Sequence, residues 1–131
     1  MGAHFIFYVS DQVRSESFYC SVLAIQPRLS VPGMTEFDLP GGGVLGLMPE
    51  RNIRRLLGPV LPDPAAANGI PRAELYLLLL EPDSYHQRAL SLGAKELSPV
   101  MPRSWGHAAG YLLDPDGHVL AFATVSDEHA A

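Results

Sequence analysis

Two stretches of this chain, 75 residues apart, share one form. Asp114-Pro115-Asp116-Gly117-His118-Val119-Leu120-Ala121-Phe122-Ala123 opens with a turn in which each residue has a task. Proline fixes φ at an early turn position, the Asp side chains bond nearby backbone N–H groups, and glycine accepts a positive φ. The apolar run behind it, with β-branched and aromatic members, reads as a strand. Pro40-Gly41-Gly42-Gly43-Val44-Leu45-Gly46-Leu47-Met48 repeats the scheme, laying Val44 on Val119, Leu45 on Leu120 and Gly46 on Ala121. An internal repeat constrains a fold more tightly than composition, because the second half must rebuild what the first half makes.

The segments around these stretches fall into the same order in both halves. His4 to Val9 is a buried-strand pattern. Ser10 and Asp11 are good N-caps, and Phe18, Tyr19, Val22 and Leu23 at helical spacing predict an amphipathic helix from Asp11 to about Leu23. Gln26–Val31 and Met34–Leu39 alternate around a Pro32-Gly33 turn, predicting a hairpin before the strand Val44–Met48. Glu50–Leu57 suits a short helix, and Gly58–Pro71 lacks periodicity and reads as a linker. The pattern then restarts. Glu74–Leu80 is a strand, and Pro82 opens a helix with Tyr85, Ala89 and Leu92 on one face and Gly93 at its end. Glu96–Ser98 is a weak strand and Gly110–Leu113 a better one, and the Asp-Pro-Asp-Gly turn leads into the last. Each half is β-α-β-β-β, with a shift near 70 for the first strand and helix.

One domain is expected at 131 residues, with module one at about 3–49 and module two at about 72–126. A net charge of −5 without a Lys/Arg cluster argues against a nucleic-acid surface. No apolar run reaches the roughly 20 residues of a membrane span, and the N-terminal residues carry no signal-peptide pattern. With a single cysteine, Cys20, no internal disulfide is possible and the cytoplasm is the expected compartment.

Alternation divides each terminal strand into two faces. Phe5, Phe7 and Val9, with Leu45/Leu47, and Leu75, Leu77 and Leu79, with Leu120/Phe122, form a bulky apolar face suited to packing under a helix. The other face carries His4, Ile6, Tyr8, Val44, Gly46 and Met48 in one half, and Glu74, Tyr76, Leu78, Val119, Ala121 and Ala123 in the other. Small residues at its middle with polar and aromatic ones around them predict a lined pocket.

A β-α-β-β-β unit used twice, with Phe18-Tyr19 near the end of the first helix and Asp114-Pro115-Asp116-Gly117-His118 before the last strand, resembles the vicinal oxygen chelate superfamily. That group includes glyoxalase I, extradiol dioxygenases and bleomycin-resistance proteins. The resemblance implies an α+β fold: two βαβββ modules in pseudo-two-fold arrangement, forming a cup-shaped sheet round a central cavity, with the helices outside. It also implies ligands for a divalent metal at four strand positions, which here hold His4, Gly46, Glu74 and Ala121. Two of the four have no donor atom, and a third ligand would have to come from His107, His118 or Asp38. Zinc and non-haem iron sites take three protein ligands, so no metal cofactor is expected.

These readings predict a metal-free protein that binds or sequesters an apolar or aromatic small molecule, lined by His4, Ile6, Tyr8, Gly46, Met48, Glu74, Tyr76, Trp105, His107 and Ala121. Trp105 and His107 are placed in a loop at the pocket. The alternative is a glyoxalase-like lyase or isomerase in which His4 and Glu74 are catalytic, with a recruited divalent metal or as an acid/base pair. As plain structure, His4 and Glu74 would bond each other. Superfamily members often dimerise, so a homodimer is expected, with no nucleic-acid or membrane partner.

Overall fold

The computed structural model describes residues 1–126. Its backbone divides into two compact units, Met1–Ile70 and the chain from Pro71 onward. The first holds β1 (His4–Val9), α1 (Gln12–Leu23), β2 (Leu29–Val31), β3 (Met34–Asp38), β4 (Val44–Pro49) and α2 (Glu50–Leu57). Two short 3₁₀ turns, Gly58–Val60 and Pro64–Ala67, occupy the expected linker. The second unit holds β5 (Glu74–Leu78), α3 (Pro82–Ser91), β6 (Lys95–Pro102), β7 (His107–Leu113) and β8 (Val119–Val125).

Both units have the same topology. One sheet runs β1-β4-β3-β2 and the other β5-β8-β7-β6, each with one parallel pair and two antiparallel pairs. The repeat holds down to register: His4 pairs with Val44, and Glu74 pairs with Val119, 70 and 75 residues on. It extends to the turns. Leu39 N–H donates to Gly43 O and Gly42 N–H to Leu39 O, while Asp114 N–H donates to His118 O and Gly117 N–H to Asp114 O. The second turn adds a side chain: Asp114 Oδ1 accepts from the N–H groups of Asp116 and His118, both at 2.9 Å, and Asp114 is buried.

In the first unit α1 starts at the Asp11 cap, whose carboxylate accepts from Arg14 N–H. It buries Phe18, Tyr19, Val22 and Leu23 as its spacing predicts, with Tyr19 against Phe37 of β3. Its polar residues hold the hairpin. Gln12 donates to Val31 O and Thr35 Oγ1 and accepts from Gly33 N–H, where φ is +97°. Thr35, with no exposed surface, donates its hydroxyl hydrogen to Glu16. Phe7 and Val9 are buried, but Phe5 remains 56% exposed, so the apolar face of β1 is not covered at its start.

The second unit departs from expectation in three places. β6 is eight residues long rather than a weak three, and register shifts on either side of Ser98 disrupt its alternation. It tolerates Pro99 and Pro102 because it is the outermost strand of its sheet, where a missing N–H breaks no ladder. β7 begins at His107, so that residue is on a strand and not in a loop. Finally α3 ends at Ser91, which leaves Leu92 beyond the helix and exposed; Pro82, His86 and Ala89 are the buried positions.

Candidate functional site

Directly paired residues share a sheet face, so the registers map the side of the second sheet that carries Tyr76. One row across it is Tyr76–Ala121–Tyr111–Ser98, and the next is Leu78–Ala123–Ala109–Met101. Ala121, Ala123 and Ala109 have no exposed surface, while Leu78 and Met101 at the row's ends are about half exposed. The rows place a stripe of alanines, closed to solvent, between taller side chains. Tyr76 Oη lies 2.7 Å from His107 Nδ1, and Trp105 donates its indole N–H to the same oxygen at 3.0 Å. Trp105 is itself 53% exposed, an aromatic plate held in place by its only polar side-chain atom.

Opposite, Arg103 lies over the Tyr111 ring at 5.2 Å and donates to Ala109 O and Ser98 Oγ, clamping the bulged strand to its neighbour. Burial pushes the Tyr111 phenol above its ordinary value; Glu74 and Tyr76 add to the rise and Arg103 opposes it. Of the residues expected from sequence, the structure therefore brings together Tyr76, Trp105, His107 and Ala121, with Glu74 close enough to act on Tyr111. Tyr111 and Arg103 went unrecognised, although Tyr111 keeps strict alternation with Ala109 and His107.

In the first unit His4, Ile6 and Tyr8 pair with Val44, Gly46 and Met48. The carboxylate facing His4 there is Glu36, 3.5 Å from Nδ1, and Glu36 is also held by Arg28 at 3.2 Å. Arg28 reaches Asp38 in turn, at 3.2 Å. Glu36 was not among the site residues expected from the sequence. A cleft of about 470 Å³ opens beside this group, lined by His4, Arg28, Asp38 and the glycine turn.

The position of Gly46 is not a vacancy. A Cβ there would stand 3.0 Å from Ile6 Cγ1 and 3.3 Å from Met34 Sδ, so neighbours have already taken the room. Ala121 is likewise without exposed surface. Among the described residues no three His, Cys, Asp or Glu side chains gather as a metal-holding group. The donor set of the first unit fits a divalent ion poorly: Arg28 pairs with Asp38 and with Glu36, the carboxylate beside His4.

On the helix side of the second sheet lies a group the sequence did not disclose. His86 is 2% exposed, its Nε2 2.7 Å from Glu96 Oε2, and its Nδ1 is buried with no hydrogen-bond partner. The ring packs where Gly110 has no side chain; a Cβ there would meet Nδ1 at 2.6 Å.

With this geometry in place, comparison with known proteins gives a clear result. The family model of the Glyoxalase/Bleomycin resistance protein/Dioxygenase superfamily matches residues 3–122. The chain belongs to this superfamily. Solved structures with the same fold include a glyoxalase-related enzyme from Fulvimarina pelagi, at 21% identity and a TM-score of 0.77 over 95% of this chain and 87% of that one. A glyoxalase/bleomycin resistance protein/dioxygenase from Nocardioides matches at 19% identity and a TM-score of 0.68, over 97% and 84%. TioX from Micromonospora sp. ML1 matches at 15% identity and a TM-score of 0.64, over 95% and 98%. No curated protein matches. At these identities the neighbours share the superfamily's fold and do not define a substrate. Among the described residues no helix is long and apolar enough to cross a membrane.

Proposed function

We propose that this superfamily member binds a planar, largely apolar small molecule against the exposed Trp105 indole of its second module, without a resident metal ion. The observation that supports the reading is the exposed Trp105 indole, fixed by Tyr76 beside His107. An immobilised aromatic plate loses little entropy when a flat ligand stacks on it. Two donor-less positions among the superfamily's four, with Gly46 filled by Ile6 and Met34, favour binding without a metal. A homodimer and a cytoplasmic location belong to the same reading and rest on the sequence.

Trp105 is the sole tryptophan, so its emission reports directly on the site. Titration with a panel of bicyclic aromatics should change it saturably and raise the melting temperature, since a ligand at 100 times its Kd adds about 2.7 kcal/mol. A panel in which no compound gives a saturable response overturns the reading. A second reading, a glyoxalase-like lyase or isomerase, is favoured by the His4–Glu36 contact, an imidazole–carboxylate couple of the kind used in proton transfer. It requires turnover that a His4→Ala variant loses.

A further inference from the structure

The segment that leads to the boundary between the two units carries a reactive pair of residues. The chain has two asparagines, Asn52 and Asn68, and only Asn68 is followed by glycine. Asn68 and Gly69 are both exposed, at the end of the 3₁₀ turn Pro64–Ala67. Asn68 closes that turn in the left-handed region, with φ 52° and ψ 44°, and its N–H donates to Ala65 O at 3.1 Å. Ile70 N–H donates to Ala67 O at 3.0 Å. Between them, the Gly69 N–H has no hydrogen-bond partner among the described residues, and neither has the Asn68 side-chain amide.

This ψ turns the Gly69 nitrogen away from the Asn68 side-chain carbon, so bringing the two together requires the peptide plane between these residues to rotate. Little opposes that rotation. Glycine has no Cβ to crowd it, and the bond from Ile70 to Ala67 is the contact to be broken. The comparable pairs elsewhere are held. Asn52 lies within α2 and precedes Ile53, whose buried, β-branched side chain crowds the attacking nitrogen. Asp116 also precedes a glycine, but the Gly117 N–H donates to Asp114 O at 3.0 Å.

We propose that Asn68 is a site of covalent modification in the folded chain, by spontaneous deamidation through a cyclic imide. The Gly69 nitrogen attacks the Asn68 side-chain carbonyl carbon, and a new C–N bond forms. The bond to the side-chain nitrogen breaks, and that nitrogen leaves as ammonia with the Gly69 amide proton. Water then opens the imide at either carbonyl, returning a proton to the Gly69 nitrogen. Opening at the side-chain carbonyl gives aspartate, and opening at the backbone carbonyl gives isoaspartate; neither needs an oxidant or a cofactor. Either product adds a negative charge to a chain of net charge −5. Isoaspartate also lengthens the backbone by a carbon close to Ile70–Pro71, where the two units divide.

The test is incubation of the full chain at mildly alkaline pH, with mass spectrometry of the peptide containing residue 68 and the urea-unfolded chain as reference. That peptide should gain the mass difference between a hydroxyl and an amino group, as a mixture of aspartate and isoaspartate, and Asn68→Gln should lose the change. Because one backbone hydrogen bond has to open, the folded chain should convert within about tenfold of the unfolded rate. Slower conversion than that overturns the proposal. So does aspartate without isoaspartate, which marks direct hydrolysis of the side chain, or conversion at Asn52 in place of Asn68.

Discussion

Replacing Gly110 by alanine should cost far more than a methyl group on a strand ordinarily does. The new Cβ would lie 2.6 Å from His86 Nδ1, 2.7 Å from Val100 Cγ2 and 2.8 Å from His86 Cε1. Overpacking of this kind costs about 1–3 kcal/mol. His86 is 2% exposed and cannot swing aside without breaking its bond to Glu96, a charge-assisted contact worth about 1.5 kcal/mol when the acid is partly solvated. Against this, a strand interior prefers alanine to glycine by about 0.5–1 kcal/mol. The net loss is about 2–3 kcal/mol, or a melting temperature lower by roughly 10 °C in a chain of this size. Urea and thermal unfolding of Gly110→Ala, His86→Ala and the double variant measure it. Because truncating His86 opens the space that the added methyl group needs, the double variant should be at least about 1 kcal/mol more stable than the summed single losses imply. A single-variant loss below about 0.5 kcal/mol, within the range of an ordinary surface change, or simple additivity, refutes the packing argument.

Three further outcomes follow from the same structure. Gln12→Ala removes three bonds to the β2–β3 hairpin and should cost about 1–2 kcal/mol, with hydrogen exchange accelerated most at Gly33; uniform acceleration would point elsewhere. Burial raises the Tyr111 phenol, so the folded state keeps its proton where the unfolded state has lost it, and stability should fall as pH rises above about 10, the group's ordinary value. Tyr111→Phe should flatten that alkaline decline in a melting-temperature profile, while Cys20, raised by burial and then by Glu16, contributes a decline of the same sign from about pH 9. Gly46→Glu, which puts a carboxylate at one of the two donor-less positions, should lower stability by about 1–3 kcal/mol and still bind no stoichiometric zinc or manganese, because Ile6 and Met34 fill its space. Metal bound at one equivalent per chain would reverse that conclusion.

The repeat carried most of the fold. The 70- and 75-residue shifts read from Val44/Val119 and the helices reappear as strand registers, and the Asp114 turn forms as its residues require. What stayed hidden has physical reasons. Most of β6 beyond Glu96–Ser98 escaped because bulges around Ser98 and two prolines erase the period of two on which strand recognition depends. Near its start β7 reads Ala-Ala-Gly, weak in strand preference and held by its neighbours on both sides. His86 was invisible because apolar spacing picks the buried side of a helix, and a histidine there does not count. In the candidate site, alternation found Tyr76 and Ala121, and loop position suggested Trp105 and His107, but not that Trp105 and His107 meet through one phenol oxygen. Gly46 shows the opposite error: sequence records the side chain a position lacks, not the neighbours that lean into its place.

The two prolines of β6 matter beyond that strand. Along the outer margin of the second sheet they delete amide hydrogens that an incoming chain would need for zippering, and the kinks around Ser98 spoil the straight run that remains. The sheet is thereby terminated chemically as well as topologically. Pairing of a further strand along this side is disfavoured from its first step.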